Sequence, residues 1–200
     1  MRAKLHIAAV AALALFAVSC GEVNLTKQES IDKTVSSAIA KYLPQGAAIY
    51  QITLLSGGNF KFTANQALVT FTAPDSEQVK CEVYMLDGSY KPRDWTVWSD
   101  FKKRTPASGV CLEDVDLSKI AANIDKAAAM LAEAEYKFSG VSRYEINLEA
   151  DPAQVEHKFT LESKAGTKAT IKNGRAGTET SYYTFDFVAD ADGEVVYVGD

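Results

Sequence analysis

The sequence predicts an α+β fold made of two tandem units, each a helix packed on a roughly four-stranded antiparallel sheet. Two segments repeat apolar residues at helical spacing, and short alternating segments typical of strands follow each of them. Turn sequences such as Asp87-Gly88 separate these strands. Residues 50–54 (YQITL) also resemble residues 144–148 (YEINL), which favours a duplication, although matches this short also arise by chance.

The first predicted unit spans residues 29–114. Thr26 and Glu29 form a predicted capping box, in which a hydroxyl and a carboxylate satisfy the first free N–H groups of a helix. Pro44 and Gly46 end this helix. Strands are predicted over residues 49–54, 60–63, 67–72, 79–86 and 94–101.

The second predicted unit spans residues 115–200 and repeats this order. Asp116 is the predicted N-cap of a helix that runs from about Leu117 to Phe138. Strands are predicted over residues 142–149, 154–162, 167–172, 179–189 and 194–198. The tandem plan of a helix and then four strands is similar to PepSY-like and beta-lactamase-inhibitor-like envelope proteins. This resemblance is one of architecture and assigns no functional residue.

The first twenty residues have the pattern of an export signal. Arg2 and Lys4 precede an uncharged run over residues 7–18, which has the length of a signal-peptide core and is too short to span a bilayer comfortably. The run ends in small residues and Cys20, in the sequence AVSCG. This segment resembles the lipobox of bacterial lipoproteins. An ordinary signal peptide cut at an Ala-x-Ser site is the alternative.

The lipobox resemblance implies that residues 1–19 are removed and that the Cys20 thiol carries diacylglycerol, which leaves residues 20–28 as a lipidated tether. The partner is then the membrane itself, because each buried methylene contributes about 0.8 kcal/mol and two or three acyl chains hold firmly. Gly21, rather than an aspartate, implies the outer membrane in the sorting logic of enteric bacteria. The domain would face the periplasm or the cell surface.

Lipidation of Cys20 leaves Cys81 and Cys111 in an oxidising compartment. A disulfide between them would close a loop of about thirty residues and stabilise the fold by about 3–4 kcal/mol. We therefore predict this disulfide, with two free buried thiols as the alternative.

Composition and motifs argue against several functions. Cleavage removes two basic residues and no acidic one, so the formal charge changes from −5 to −7, which argues against nucleic acid as a partner. His157 is the one histidine left after residue 19, and it shares a predicted strand face with apolar residues, so we expect it to be a partly buried strand residue. Nucleophile, nucleotide-binding and metal-ligand patterns are absent from the sequence. We therefore expect no catalytic residue, no metal site and no cofactor.

The aromatic residues Tyr90, Trp95 and Trp98 cluster near one predicted strand and are the candidate binding site. Because Trp95 and Trp98 point to opposite faces of a regular strand, one of them can be an exposed anchor, and burial of both is the alternative. The resulting hypothesis is a membrane-anchored lipoprotein that binds a protein or a glycan without catalysis. A carboxylate-dependent hydrolase and a structural component of the envelope are the alternatives.

Overall fold

The structure is a computed structural model that describes residues 22–89, 93–95, 109–148, 151–172 and 175–199. The helices in these residues are α1 (Gln28–Ala40) and α2 (Ile120–Glu133). The strands are β1 (Val23–Asn24), β2 (Ala48–Ser56), β3 (Thr63–Thr72), β4 (Val79–Met85), β5 (Arg93–Trp95), β6 (Phe138–Asn147), β7 (Glu156–Lys172), β8 (Arg175–Ala189) and β9 (Val195–Tyr197).

All nine strands belong to one antiparallel sheet. Eight of them follow the order β5-β4-β3-β2-β6-β7-β8-β9, and β1 pairs with the start of β3. The predicted fold of two tandem units, each with its own helix and four-stranded sheet, is therefore wrong. The ladder between β2 and β6 overturns it, because this ladder joins the strands before and after it into one continuous sheet.

The ladder between β2 and β6 is symmetrical about its centre. Ile52 lies opposite Ile146. Next to this pair, the N–H of Leu148 donates to the carbonyl of Tyr50 at 2.8 Å. Tyr50 and Tyr144 each lie on the strand that follows a helix. The two similar segments of the sequence therefore meet at the centre of the sheet.

Both helices contribute to one hydrophobic core on the sheet. Their buried apolar residues are Ile31, Val35, Ala38 and Ile39 on α1, and Ile120, Ala121, Ile124, Ala127 and Leu131 on α2. Burial of each isoleucine or leucine contributes about 1.5–3 kcal/mol. Gln28, at the start of α1, joins the two helices, because its Oε1 accepts from the N–H of Ala121 in α2 at 3.3 Å, and its Nε2 donates to the carbonyl of Leu117, just before α2. The first turns of both helices therefore lie side by side.

The helix ends differ from the prediction. The N-cap of α1 is Lys27, which makes no side-chain cap hydrogen bond, and the hydroxyl of Thr26 donates to Asn24 instead of forming a capping box. The second helix ends at Glu133 rather than at Phe138, which is the first residue of β6. Glu135 has a φ of 64°, a left-handed conformation that ends a helix. Phe138, the last residue of the predicted helix, therefore belongs to a strand, and residues 134–137 form the turn before it.

A row of side chains lies in register across seven strands of the sheet. It runs through Tyr84, Ala67, Leu54, Tyr144, Phe159, Phe187 and Tyr197. The ring of Phe159 stacks on Tyr144 at 5.0 Å and on Phe187 at 5.6 Å. Every member is buried except Tyr197, at the edge of the sheet. This row supports both of the surface features described below.

The loop between β2 and β3 packs closely against β6 and β7. The N–H of Phe60 donates to the buried carboxylate of Glu162 at 2.5 Å, and the N–H of Val141 donates to the carbonyl of Lys61 at 2.8 Å. A Cβ atom at Gly140 would lie 2.8 Å from the Cα atom of Phe60. Glycine is therefore required at this position by the close approach of two backbones.

Part of the segment predicted as a tether is folded. Val23 and Leu25 are fully buried, and β1 pairs with β3. The folded domain therefore begins within a few residues of Cys20. Across the residues that the structure describes, neither helix combines the length and the apolar character needed to cross a membrane.

Candidate functional site

A cavity of about 690 Å³ opens where the start of α2 meets the ends of β6 and β7 and the turn between β8 and β9. Its polar lining consists of Asp114, Asp116, Lys119, His157 and Asp192, and its apolar lining consists of Val110, Leu148, Ala153, Val155 and Ala191. Pockets of 300–1,000 Å³ with an apolar wall and a few polar groups are typical of small-ligand sites. The cavity is therefore the first candidate site.

The turn between β8 and β9 forms one wall of the cavity and is fixed to α2. The carboxylate of Asp190 accepts from the backbone N–H groups of Asp192 and Glu194, each at 2.9 Å. The ammonium of Lys126 donates to the carbonyl of Gly193 at 2.6 Å, and Lys119 donates to the carbonyl of Ala191. The Asp190 carboxylate therefore organises a hairpin turn, and the two lysines fix the wall in place.

A chain of three buried polar side chains connects α2 to the cavity. The Nδ2 of Asn123 donates to the hydroxyl of Tyr144 at 3.0 Å, and this hydroxyl lies 3.1 Å from Nδ1 of His157. The tyrosine carries a single proton and already accepts from Asn123, so we assign it as the donor to Nδ1. The neutral imidazole then carries its own proton on Nε2, which has no hydrogen-bond partner among the described residues.

Burial and the neighbouring charges set the protonation of the cavity lining. Burial and, less strongly, the charge of Lys119 lower the pKa of His157, Asp116 and Asp190 oppose this shift, and the net result is a pKa of about 4. Hydrogen bonds from Ser118 hold the pKa of Asp116 below its ordinary value. At neutral pH the imidazole is therefore neutral and the Asp116 carboxylate is ionised.

The charges of the lining favour a cationic ligand over an anionic one. Three aspartates and one lysine, Lys119, line the cavity, and His157 contributes no charge, so the formal charge of the lining is −2. General acid–base catalysis works best with a group whose pKa lies near 7, and the pKa of His157 lies well below this value.

Within the described part of the chain, no group of three or more His, Cys, Asp or Glu side chains is placed to hold a metal ion.

A second candidate site is a strip of aromatic side chains near the outer edge of the sheet. We define the aromatic strip as Tyr136, Tyr183, Phe185 and Tyr197. Neighbouring rings in it lie 4.7–6.4 Å apart, as Tyr136–Phe185 and Tyr183–Phe185 illustrate. The strip continues the buried row, because the ring of Tyr197 meets the ring of Phe187 at 5.6 Å. Its tyrosines are 37–52% exposed.

The aromatic site predicted from the sequence falls largely outside the described residues. Tyr90 and Trp98 lie outside them, as do the predicted signal segment and Cys20. Trp95 lies at the end of β5, opposite Cys81 of β4. The predicted role of these three aromatic residues therefore stays a prediction.

The predicted disulfide between Cys81 and Cys111 is absent, and both thiols are free. The sheet explains why. Cys81 lies on β4, and Val110, the residue before Cys111, bridges to Ile49 of β2. At Ile49, β2 is separated from β4 by β3, with adjacent strands about 4.8 Å apart, so the two cysteines lie too far apart for a bridge. Burial also raises the pKa of the Cys81 thiol.

His157 lies on β7 and is only 2% exposed, so the structure buries it more completely than the partial burial predicted from the sequence. Its partners Asn123 and Tyr144 were not predicted as site residues. One signal was available for Asn123, which lies three residues after Ile120 and four before Ala127, on the apolar stripe of the helix. A polar residue on a buried stripe requires a buried partner, but the sequence does not name it.

Comparison with known proteins gives no match. No family model, no curated protein and no solved structure matches this chain.

Proposed function

We propose that this chain is a lipid-anchored protein of the bacterial envelope whose domain binds another protein through the aromatic strip, without catalysing a reaction. The lipobox-like segment that ends in Cys20 supports the anchor, and Gly21 favours the outer membrane. The exposed rings of the aromatic strip support the binding role, because tyrosine is among the residues that contribute most to protein interfaces.

The observation that carries the binding role is the concentration of exposed apolar side chains at one edge of the sheet. Eight large apolar side chains are exposed in the described part of the chain, and five of them belong to β8, β9 or the residue after β9. These five are Tyr182, Tyr183, Val196, Tyr197 and Val198. Tyr183 and Tyr197 lie on the face of the aromatic strip, whereas Tyr182 and Val196 lie on the opposite face of the same edge. Scattered apolar residues are ordinary on a surface, whereas a concentrated group marks an interaction site.

The open edge of β8 favours a protein over a glycan as the partner. Strand β9 pairs only with Phe187–Ala189 of β8, so the described residues place no strand beside the earlier part of β8. An extended segment of a partner can pair with such an edge through its backbone and cover the aromatic side chains at the same time. A glycan would contact the aromatic rings without pairing with the backbone of β8.

The cavity makes a hydrolase the second candidate. It brings Asp114, Asp116 and Asp192 together with His157. Against this candidate, the pKa of His157 is about 4 and that of Asp116 lies below its ordinary value. A carboxylic acid that donates a proton at neutral pH requires a raised pKa. Binding requires charge and hydrogen bonds from these groups, whereas acid–base catalysis also requires a suitable pKa.

The anchor is tested with Cys20→Ser and labelled palmitate in the native host. We expect the wild type to incorporate the label and to sediment with membranes, and the variant to do neither. Cys111→Ser is the matched control and should keep both properties. Label retained by Cys20→Ser would refute the anchor.

The binding surface is tested with a photo-crosslinking amino acid in place of Tyr183, in intact cells. The matched control places the same group at Asp125, an exposed position of α2 away from the aromatic strip. We expect a discrete crosslinked protein from position 183 and none from position 125. Tyr197→Ala should weaken this crosslink and leave thermal stability nearly unchanged, since Tyr197 is 42% exposed.

Other crosslinking outcomes would count against the proposal. Equal products from both positions would mean that the aromatic strip is not a specific surface. Crosslinks only to a second copy of the chain would favour the structural alternative. Sedimentation with purified envelope glycan that Tyr183→Ala abolishes would assign the strip to a glycan.

A further inference from the structure

The proposed function uses the aromatic strip and leaves the cavity at the start of α2 without a role. We infer that this cavity is a separate binding site for a small protonated amine that carries a neighbouring oxygen atom, as amino alcohols and amino sugars do. The carboxylates of Asp114, Asp116 and Asp192 would face the ammonium group, and the Nε2–H of His157 would donate to the oxygen.

Charge selects the amine. Lys119 is the one basic side chain in the lining, and its ammonium already donates to the carbonyl of Ala191. Three aspartates therefore line the cavity, and the lining contains no second cation to balance them. An anionic ligand would meet net repulsion, whereas an ammonium group would find acceptors with the opposite charge.

His157 accounts for the preference for a ligand with an oxygen atom near its ammonium group. This side chain is 98% buried, since only 2% of it is exposed, yet it lines the cavity. Its Nδ1 is occupied by the hydroxyl of Tyr144, which Asn123 holds in turn. The imidazole is therefore fixed in orientation and in tautomer, and it offers one neutral donor at Nε2. A donor that has no protein partner and belongs to a side chain lining a cavity is available to an acceptor of a ligand.

The size and the apolar wall of the cavity fit a ligand of this kind. About 690 Å³ exceeds the space needed for a few waters and lies within the range of small-molecule sites. Val110, Leu148 and Val155 provide the apolar part of the wall, against which the carbon skeleton of the ligand would pack. The lining thus pairs charged acceptors on one side with a neutral donor and apolar surface on the other.

Calorimetric titration of the purified mature protein with three probes tests the inference. Glucosamine carries both the ammonium group and neighbouring hydroxyls, glucose has the hydroxyls alone, and butylamine has the ammonium alone. We expect glucosamine to bind at least about tenfold more tightly than either of the other probes, a difference that corresponds to one good polar contact.

Two substitutions assign the recognition to named side chains. Asp116→Asn should bring the affinity for glucosamine close to that for glucose. Asp125→Asn, at an exposed position of α2, is the control and should change neither the affinity for glucosamine nor the affinity for glucose. If Asp116→Asn does not fold, Asp192→Asn in the exposed turn tests the same point. Tyr144→Phe removes the donor that fixes the tautomer and should narrow the difference between glucosamine and butylamine.

Three results would overturn the inference: equal binding of glucose and glucosamine, binding of glucosamine that survives both aspartate substitutions, or no binding of glucosamine in the millimolar range. None of these substitutions touches the aromatic strip. Crosslinking from position 183 therefore tests the proposed function independently of the outcome here.

Discussion

Lowering the pH from 7 to 4 tests the burial of His157 in the chain without its predicted signal segment, which we call the mature protein. Its pKa is about 4 in the folded protein and about 6.5 when unfolded. Between these values the unfolded chain binds a proton that the folded chain does not, so the free energy of unfolding falls as the pH falls. At 1.36 kcal/mol for each pH unit, the loss is about 3 kcal/mol.

The carboxylates with lowered pKa values act in a different range. Asp87, Asp116 and Asp190 contribute stability that is lost as the pH falls through and below their ordinary value of 3.8, and Glu22 and Glu29 do the same from their ordinary value of 4.5. The interval between pH 6.5 and about 5 therefore reports mainly on the histidine, and below it a comparison with a variant of His157 separates the two contributions.

The assay is urea denaturation of the mature protein at half-unit pH steps, followed by far-UV circular dichroism. His157→Gln is the comparison, because it cannot titrate. The variant is expected to be less stable at pH 7, since it disturbs the contact with Tyr144, so the slope against pH is compared rather than the absolute value. Parallel curves for wild type and variant between pH 6.5 and 4 would refute the assigned burial and neutral state of His157.

Two further predictions concern packing and thiols. Gly140→Ala should lower the free energy of unfolding by about 1–3 kcal/mol, because the new methyl group meets backbone 2.8 Å away, and thermal denaturation would show this. Gly166→Ala is the control and should be nearly neutral, because nothing lies within 4 Å of its Cβ position. Cys81 and Cys111 should both react with a thiol reagent in denatured, unreduced protein. If neither cysteine reacts, the result would support the disulfide that the sequence predicted.

Local signals in the sequence predicted much of the element order but not how the elements join. The Asp87-Gly88 and Asp192-Gly193 turns and the alternating strands act within a few residues, and most predicted strands correspond to observed ones. The pairing of β2 with β6 has no such signal, because any two apolar strands of opposite direction satisfy the same pattern. The ladder between β2 and β6 is therefore the reason that the structure has one sheet where the sequence predicted two.

The same distinction between local and distant contacts explains the candidate site. His157 was predicted to be buried from its neighbours on one strand, which is local information. The lining of the cavity comes from four separate parts of the chain, and Tyr144 and Asn123 become partners of His157 only through the packing of α2 on β6. The disulfide prediction failed for a related reason: the number of cysteines says nothing about the strands that separate them.

The symmetrical ladder at the centre of the sheet also has a consequence for how the chain folds. Ile52 and Ile146 are 94 positions apart, whereas the hairpin of β7 and β8 closes between Lys172 and Arg175. Loop-closure entropy makes the distant contact about 3 kcal/mol more costly to form first. Strands β2 to β5 can pair with one another through nearby residues, and so can strands β6 to β9. The ladder between β2 and β6 forms once both groups of strands exist. We therefore expect the slowest step of folding to be the joining of β2 to β6, the step that turns two local assemblies into one cooperative unit.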